Sequence, residues 1–417
     1  MDKKRLVFAL VFLAVSTLLG YAIYRVFFAQ PKPPEIAGPT GPAGMAGSFP
    51  TIGQGQTATG TPGGPGALPG RTDRPTAGPS AGPAGPDIGP VGAETGTSRV
   101  TRSLDAGVKS PAADDGGAVK FYNEQDGKFY RLLSDGTLAP MSDEVFFNVD
   151  KVTWSPNKDE GIIEYPDGAN IYYDFKSRRQ VTLPRHWEDF SFSPLGDQVA
   201  AKSVGIAPEN RWLIAAKPDG SSIRLVEPMG DNADKVTVDW SPNKQIVALS
   251  RTGQALGADR QEVLFVGLNH ENYRSFVVEG RGLETKWSGS GQKLLHSIHR
   301  AESDFKPELW IADATPDTVG GNRRLLNVNT WASKCAMADD RFVYCGVPER
   351  LEAGAGFAPA VANTTPDRLF KVDTVTGLKT EIPLTDIYTI DRITLSEDGS
   401  RLYFTDKNQV GLFKVDI

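Results

Sequence analysis

The sequence predicts an all-β chain folded as a β-propeller of seven four-stranded blades, with six blades as the alternative count, and three observations carry that prediction. One motif returns at a regular interval. Val152-Thr-Trp-Ser-Pro-Asn-Lys158 is echoed by Phe190-Ser-Phe-Ser-Pro-Leu-Gly196, Val238-Asp-Trp-Ser-Pro-Asn-Lys244, Thr285-Lys-Trp-Ser-Gly-Ser-Gly291, Ala336-Met-Ala-Asp-Asp340 and Thr394-Leu-Ser-Glu-Asp-Gly399. A weaker copy, Ala112-Ala-Asp-Asp-Gly116, precedes them, so the anchors fall at Ala113, Ser155, Ser193, Ser241, Ser288, Ala338 and Ser396. A period of about forty to fifty residues is the mark of a repeat architecture. The second observation is that each copy is followed by further short runs rich in β-branched and aromatic residues, such as Gln245-Ile-Val-Ala-Leu249 and Glu262-Val-Leu-Phe-Val266. Four short strands per period make one blade. The third is that the repeats begin only after a segment whose composition cannot build a core.

Residues 1–5 are basic and are followed by 6–24, a run without a charge. At 1.5 Å per residue that run spans roughly 28 Å, about a bilayer's hydrocarbon thickness. Segment 6–29 is expected to be a transmembrane anchor with a cytoplasmic N-terminus, a cleaved signal peptide being the alternative. The chain beyond it is then outside the membrane, periplasmic or extracellular. Residues 30–97 are dominated by Gly, Pro, Ala, Ser and Thr. They have too little apolar surface to offset the entropy of ordering and read as a disordered linker. The patches Gly38-Pro-Thr-Gly-Pro-Ala-Gly44 and Gly82-Pro-Ala-Gly85 resemble collagen triplets but are too short to sustain a triple helix. Such a linker has an end-to-end distance of about 45 Å and acts as a tether.

Residues 98–417 are expected to form the propeller. Its first blade draws on Ala118-Val-Lys-Phe-Tyr122, Lys128-Phe-Tyr-Arg-Leu132 and Thr137-Leu-Ala-Pro140. The last blade has only three strands of its own before the chain ends, so its outer strand is expected from Arg99-Val-Thr-Arg-Ser103. That pairing would close the ring and remove an open sheet edge.

The Trp-Ser-Pro turns resemble the Trp-Ser-Pro-Asp-Gly units of TolB-type β-propellers over 108–417. The resemblance implies the fold and no particular activity. Most copies depart from Asp-Gly, with Asn-Lys, Leu-Gly, Ser-Gly or Asp-Asp in its place, which changes the turn and keeps the hairpin. TolB carries a second domain ahead of its propeller that is not matched here, so its role in envelope complexes is not implied.

Cys335 and Cys345 sit on the two arms of one hairpin. An even loop sends the two sulfurs to opposite faces, whereas an odd loop of Asp339-Asp-Arg341 sets them opposite each other, where a structural disulfide forms. His296 and His299, two of the four histidines, lie three apart on a strand and so on opposite faces, which makes a poor metal site. No metal or other cofactor is expected. No catalytic residue is assigned: Gly-x-Ser-x-Gly and the sialidase-type Asp box are both missing. The net charge of −6 and the pI of about 5.5, without a basic run, set nucleic acid aside as a partner.

Loop lengths point to one face. Connections from second to third strand are long at 204–209, 252–260, 299–307 and 348–366, while the opposite turns are short. Function concentrates on such loops. The same face carries Phe146, Phe147, His186, Trp187, Trp331 and Tyr388, aromatic residues of the kind interfaces favour, together with Arg260, Arg300, Arg350 and Glu352. Acidic residues recur just before the first strands: Asp150, Glu188, Asp189, Asp234, Glu284 and Asp391. They ring the channel mouth or cap their own turns, two readings the sequence leaves open.

The expected function is a membrane-anchored, extracytoplasmic, non-catalytic recognition or scaffold module whose partner is an envelope or extracellular protein or peptide. The alternative is a propeller enzyme, a hydrolase or lyase acting on cell-surface glycan.

Overall fold

The computed structural model describes residues 91–93, 100–271 and 273–417. The expected anchor at 6–29 and all but the end of the expected linker lie outside the described residues. Among those residues no helix is long and apolar enough to cross a membrane.

Seven sheets are present among the described residues, five of them built wholly from strands consecutive in the chain. Blade 1 comprises Val108–Asp114, Ala118–Asn123, Lys128–Leu132 and Leu138–Pro140. Blades 2 to 5 begin at Lys151–Trp154, Trp187–Phe192, Val236–Val238 and Arg281–Trp287, and blades 6 and 7 at Cys335–Met337 and Ile390–Leu395. Every pairing within a blade is antiparallel, as short hairpin connections require. The outer strand of blade 7 is Thr101–Leu104, paired antiparallel with Leu412–Asp416. The ring therefore closes with a strand from the N-terminal side of blade 1, the region the sequence pointed to. The seven-blade count holds and the six-blade alternative falls.

The recurring Ser has a local cause. In four copies its hydroxyl accepts the N–H five residues on: Gln198 at 3.2 Å, Ile246 at 2.9 Å, Lys293 at 3.1 Å and Arg401 at 3.0 Å. It thus stitches the two arms of the first hairpin across its turn, a task an apolar residue cannot perform. The turns also reach sideways. The Asn243 side chain donates to the Gly291 carbonyl of the next blade at 2.9 Å, and Lys158 donates to Gly196 in the same sense at 2.9 Å.

Apolar clusters between neighbouring blades supply the main stabilisation. Phe129, Phe146, Val152 and Tyr173 join blades 1 and 2; Phe265, Trp287 and Leu294 join blades 4 and 5. Phe121 and Val119 of blade 1 meet Tyr403 and Leu412 of blade 7, so the closing interface is also packed. Each fully buried large side chain contributes about 1.5–3 kcal/mol.

The hairpin at 338–342 takes the odd loop: Cys335 faces Cys345, and the two form a disulfide with Cα atoms 4.1 Å apart. Val91–Ala93, assigned to the linker by composition, instead adds a parallel fifth strand to Lys379–Ile382 of blade 6. The exposed edge of an outer strand offers unpaired N–H and C=O groups, and a short extended segment satisfies them whatever its composition.

Candidate binding site

First strands surround the axis, and their starts, with the blade-to-blade and second-to-third-strand connections, share one face. On that face the axis opens into a cavity of about 750 Å³. Its walls come from Asp239 and Trp240 of blade 4, Glu284, Lys286 and Trp287 of blade 5, Lys334 of blade 6 and Asp391, Arg392 and Lys407 of blade 7. Pro359, Ala362 and Asn363 of the 349–366 connection also line it.

That connection is folded. It contains two short 3-10 turns, Ala355–Phe357 and Pro359–Thr364. Gly354 and Gly356 donate to the carbonyls of Asp304 and Phe305 at 2.7 and 2.8 Å, which docks the connection on the neighbouring blade's loop. Phe357 packs its ring against His299 and Phe305, with centroids 4.5 and 5.0 Å apart. The approach at Gly356 is close: a Cβ there would sit 2.4 Å from that of His299, so glycine is required. Beneath it, Trp331, Leu351, Ala355 and Ala362 form a small apolar cluster.

Charged groups in the cavity are arranged by the blades. Asp239 and Lys286 occupy the same repeat position, immediately before Trp, in adjacent copies. Burial on the channel wall, reinforced by the nearby Asp189 carboxylate, pushes the Asp239 carboxyl up to about 7, against the pull of Lys286. Burial and then Arg392 hold the Lys286 ammonium down to about 8. Lys334 donates to Asp367 at 2.7 Å in a pair almost wholly removed from solvent. The same Asp367 oxygen accepts the Ile390 N–H at 2.7 Å, and desolvation raises this carboxyl to about 6. Asp367 ends the long connection, so the pair fastens it to the starts of blades 6 and 7.

The structure separates the acidic candidates. Glu284 and Asp391 line the cavity, Glu284 accepting the Ser333 N–H at 3.2 Å and Asp391 pairing with Lys407 at 2.6 Å. Asp189 has a left-handed backbone, φ 59°, inside a β-bulge, and this turns its carboxylate across to accept the Val238 N–H at 3.0 Å. It also faces Lys202 at 3.4 Å, as Glu188 does at 3.7 Å. Asp150 lies beside a different hollow, with Lys109 and Tyr165, and Asp234 is exposed. The six do not form one ring.

Of the aromatic candidates, Phe146, Trp187, Trp331 and Tyr388 are buried core side chains, with exposures of 3–6%. Phe146, Trp187 and Tyr388 are corrected from interface anchors to packing groups, Tyr388 lying edge-on to Phe404 at 5.1 Å and Phe146 to Tyr173 at the same distance, whereas Trp331 lines the cavity. The connections between blades run inward over the core, and apolar rings follow them. Phe147 is 75% exposed and His186 is exposed. Arg260, Arg350 and Glu352 are exposed on their loops, while Arg300 is engaged with Glu308 at 2.7 Å and lies over the Trp310 ring. His296 is enclosed with Phe276 and Trp310 around it, and burial lowers its pKa to about 3. Sequence reasoning missed Asp239 and Lys286. Their signal was a charge at a repeat position occupied elsewhere by Thr153 or Ser191.

The Asp239 environment has a measurable consequence. Folding raises this pKa, so its contribution to stability is present below about pH 4, the unfolded value, and is lost as pH rises through about 7. Asp239→Asn should therefore gain on the parent as pH rises, the melting-temperature difference growing by about 2–5 °C between pH 4 and 8. Parallel melting profiles would show that the carboxyl ionises normally.

No family model matches the chain, and no curated protein matches it. Solved structures do. The Cps50 (Swd1) β-propeller domain of Myceliophteria thermophila is 12% identical with a TM-score of 0.52, over 75% of this chain and 96% of that one. An oligogalacturonate lyase in complex with manganese is 12% identical with a TM-score of 0.51, over 79% and 96%. The tricorn protease is 9% identical with a TM-score of 0.47, and the chain spans about a third of its length, 34%, while 78% of this chain is covered. At these identities the likeness to the first two shows the propeller fold alone.

Proposed function

We propose that the chain is a non-catalytic recognition or scaffold module that holds an envelope or extracellular protein or peptide against its long-loop face. The reading includes the membrane tether at 6–29, with the propeller outside, and the kinship with TolB-type propellers suggested by the Trp-Ser-Pro turns. One observation carries it: exposed apolar side chains gather on this face beside the cavity. Phe357 is 64% exposed, Phe305 39% and Val361 37%, all on two connections docked together. Ile206 and Ile387 are exposed on other connections of that face. A rigid scaffold presenting apolar side chains on folded loops suits association, because little ordering entropy is lost on binding. Replacing 350–364 by a short Gly-Ser connection should reduce recovery of the membrane partner at least about tenfold, as expected when central apolar contacts are removed. Equal recovery by both forms would count against this face.

The enzymatic reading has one observation of its own, the raised Asp239 carboxyl near the second carboxylate of Asp189. Asp189 is already committed to the Val238 N–H and to Lys202. Release of reducing or unsaturated ends from envelope glycan by the parent, abolished in Asp239→Asn, would establish that reading in place of the first.

A further inference from the structure

The cavity at the channel mouth is lined by two cations that no carboxylate among the described residues pairs with. Of its basic residues, Lys334 is committed to Asp367 and Lys407 to Asp391. Arg392 has neither an ion pair nor a hydrogen-bond acceptor among the described residues, although the carboxylate of Asp391 stands next to it in sequence. Lys286 donates to the Cys335 carbonyl and feels the charge of Arg392. Of the acids facing this pair, neither Glu284 nor Asp239 forms an ion pair with it: Glu284 accepts the Ser333 N–H and keeps its charge, and Asp239 keeps its proton up to about neutral pH. Like charges held together in a concave wall are a cost that an incoming anion relieves.

The rest of the wall says what kind of anion. Trp240 and Trp287 line the cavity. Pro359 and Ala362 present apolar surface from the docked connection, continuous with the exposed Phe357 and Val361 on the same segment. A small inorganic anion would leave this apolar surface unused.

We propose that this cavity binds a carboxylate carried on an apolar peptide segment, with Arg392 and Lys286 flanking the carboxylate and the Trp and Pro walls receiving the neighbouring side chains. The inference rests on the recognition reading and names the chemistry of its partner. The cavity volume lies within the usual range for ligand sites.

Calorimetric titration of the full chain in detergent micelles tests it with four probes: acetyl-Leu-Glu-Leu-amide, acetyl-Leu-Gln-Leu-amide, sodium acetate and trigalacturonate. The Glu peptide should bind at least about tenfold more tightly than its Gln counterpart. Arg392→Gln should bring that preference below about threefold, and Lys286→Met should act in the same direction. Equal binding of the two peptides to the parent chain, or none at millimolar concentration, would overturn the proposal. So would acetate or trigalacturonate binding as tightly as the Glu peptide. Equal Glu and Gln binding together with undiminished dependence of partner recovery on the 350–364 segment would remove the carboxylate assignment and leave the recognition reading standing.

Discussion

Deleting residues 1–105 is expected to lower the stability of the propeller by about 3–5 kcal/mol. The deletion removes the outer strand of blade 7 and, with it, the antiparallel ladder to Leu412–Asp416. Leu104, which packs against the cluster of Phe121, Tyr403 and Leu412, is lost as well. So is the Arg102 guanidinium stacked over the Phe413 ring at 5.5 Å. The last strand would then present an open edge, and concentration-dependent association should accompany the lower melting temperature. A second deletion, of residues 1–90 only, spares Thr101–Leu104 and should leave the melting temperature within a degree or two of the parent. If both deletions melt alike, the N-terminal strand does not close the ring.

The second large effect is expected at Lys334. Its ammonium and the Asp367 carboxylate form a pair with side-chain exposures of 8% and 0%, and the second Asp367 oxygen has no hydrogen-bond partner. Lys334→Met leaves a buried carboxylate uncompensated, at a cost of about 3–5 kcal/mol at pH 8. The cost depends on pH in a defined sense. Desolvation already raises the Asp367 carboxyl to about 6 with Lys334 in place, and losing the lysine raises it further. Below pH 5 the variant's Asp367 is protonated and neutral, so most of the penalty disappears. The variant should thus be far weaker than the parent at pH 8 and close to it at pH 5, as read by denaturant titration. A penalty below about 1 kcal/mol at pH 8, or one equal at both pH values, would contradict the clasp described here.

Fold was far more legible in the sequence than site was, for a physical reason. Propeller blades repeat because each must solve one packing problem, and residues that solve it recur at a fixed interval. Ser193, Ser241, Ser288 and Ser396 all bind the N–H five residues on, so selection for one geometry writes one motif many times. Ring closure was legible too, because a blade short of one strand must borrow it. Binding groups carry no such redundancy. Trp187 and Tyr388 look like interface anchors in sequence and are core side chains in space, since whether a ring on a blade connection turns inward depends on neighbours tens of residues away. Phe305 and Phe357, which are exposed, come together only because the two connections dock through Gly354 and Gly356. The acidic series fragmented likewise: a bulge at Asp189 and a pairing at Asp391 send similar residues to different tasks. Parallel addition of Val91–Ala93 to blade 6 had no compositional signal, because main-chain pairing asks little of side chains.

The claim that recognition occurs on the long-loop face is most directly tested by site-specific photo-crosslinking from membranes. A photoreactive residue at Phe357, on the docked connection, is compared with one at Leu195, which is 52% exposed on the turn after the Trp-Ser-type motif of blade 3 and so on the opposite face. A discrete adduct from Phe357 and none from Leu195 is the expected result. Adducts from Leu195 alone, or equally from both positions, would contradict it.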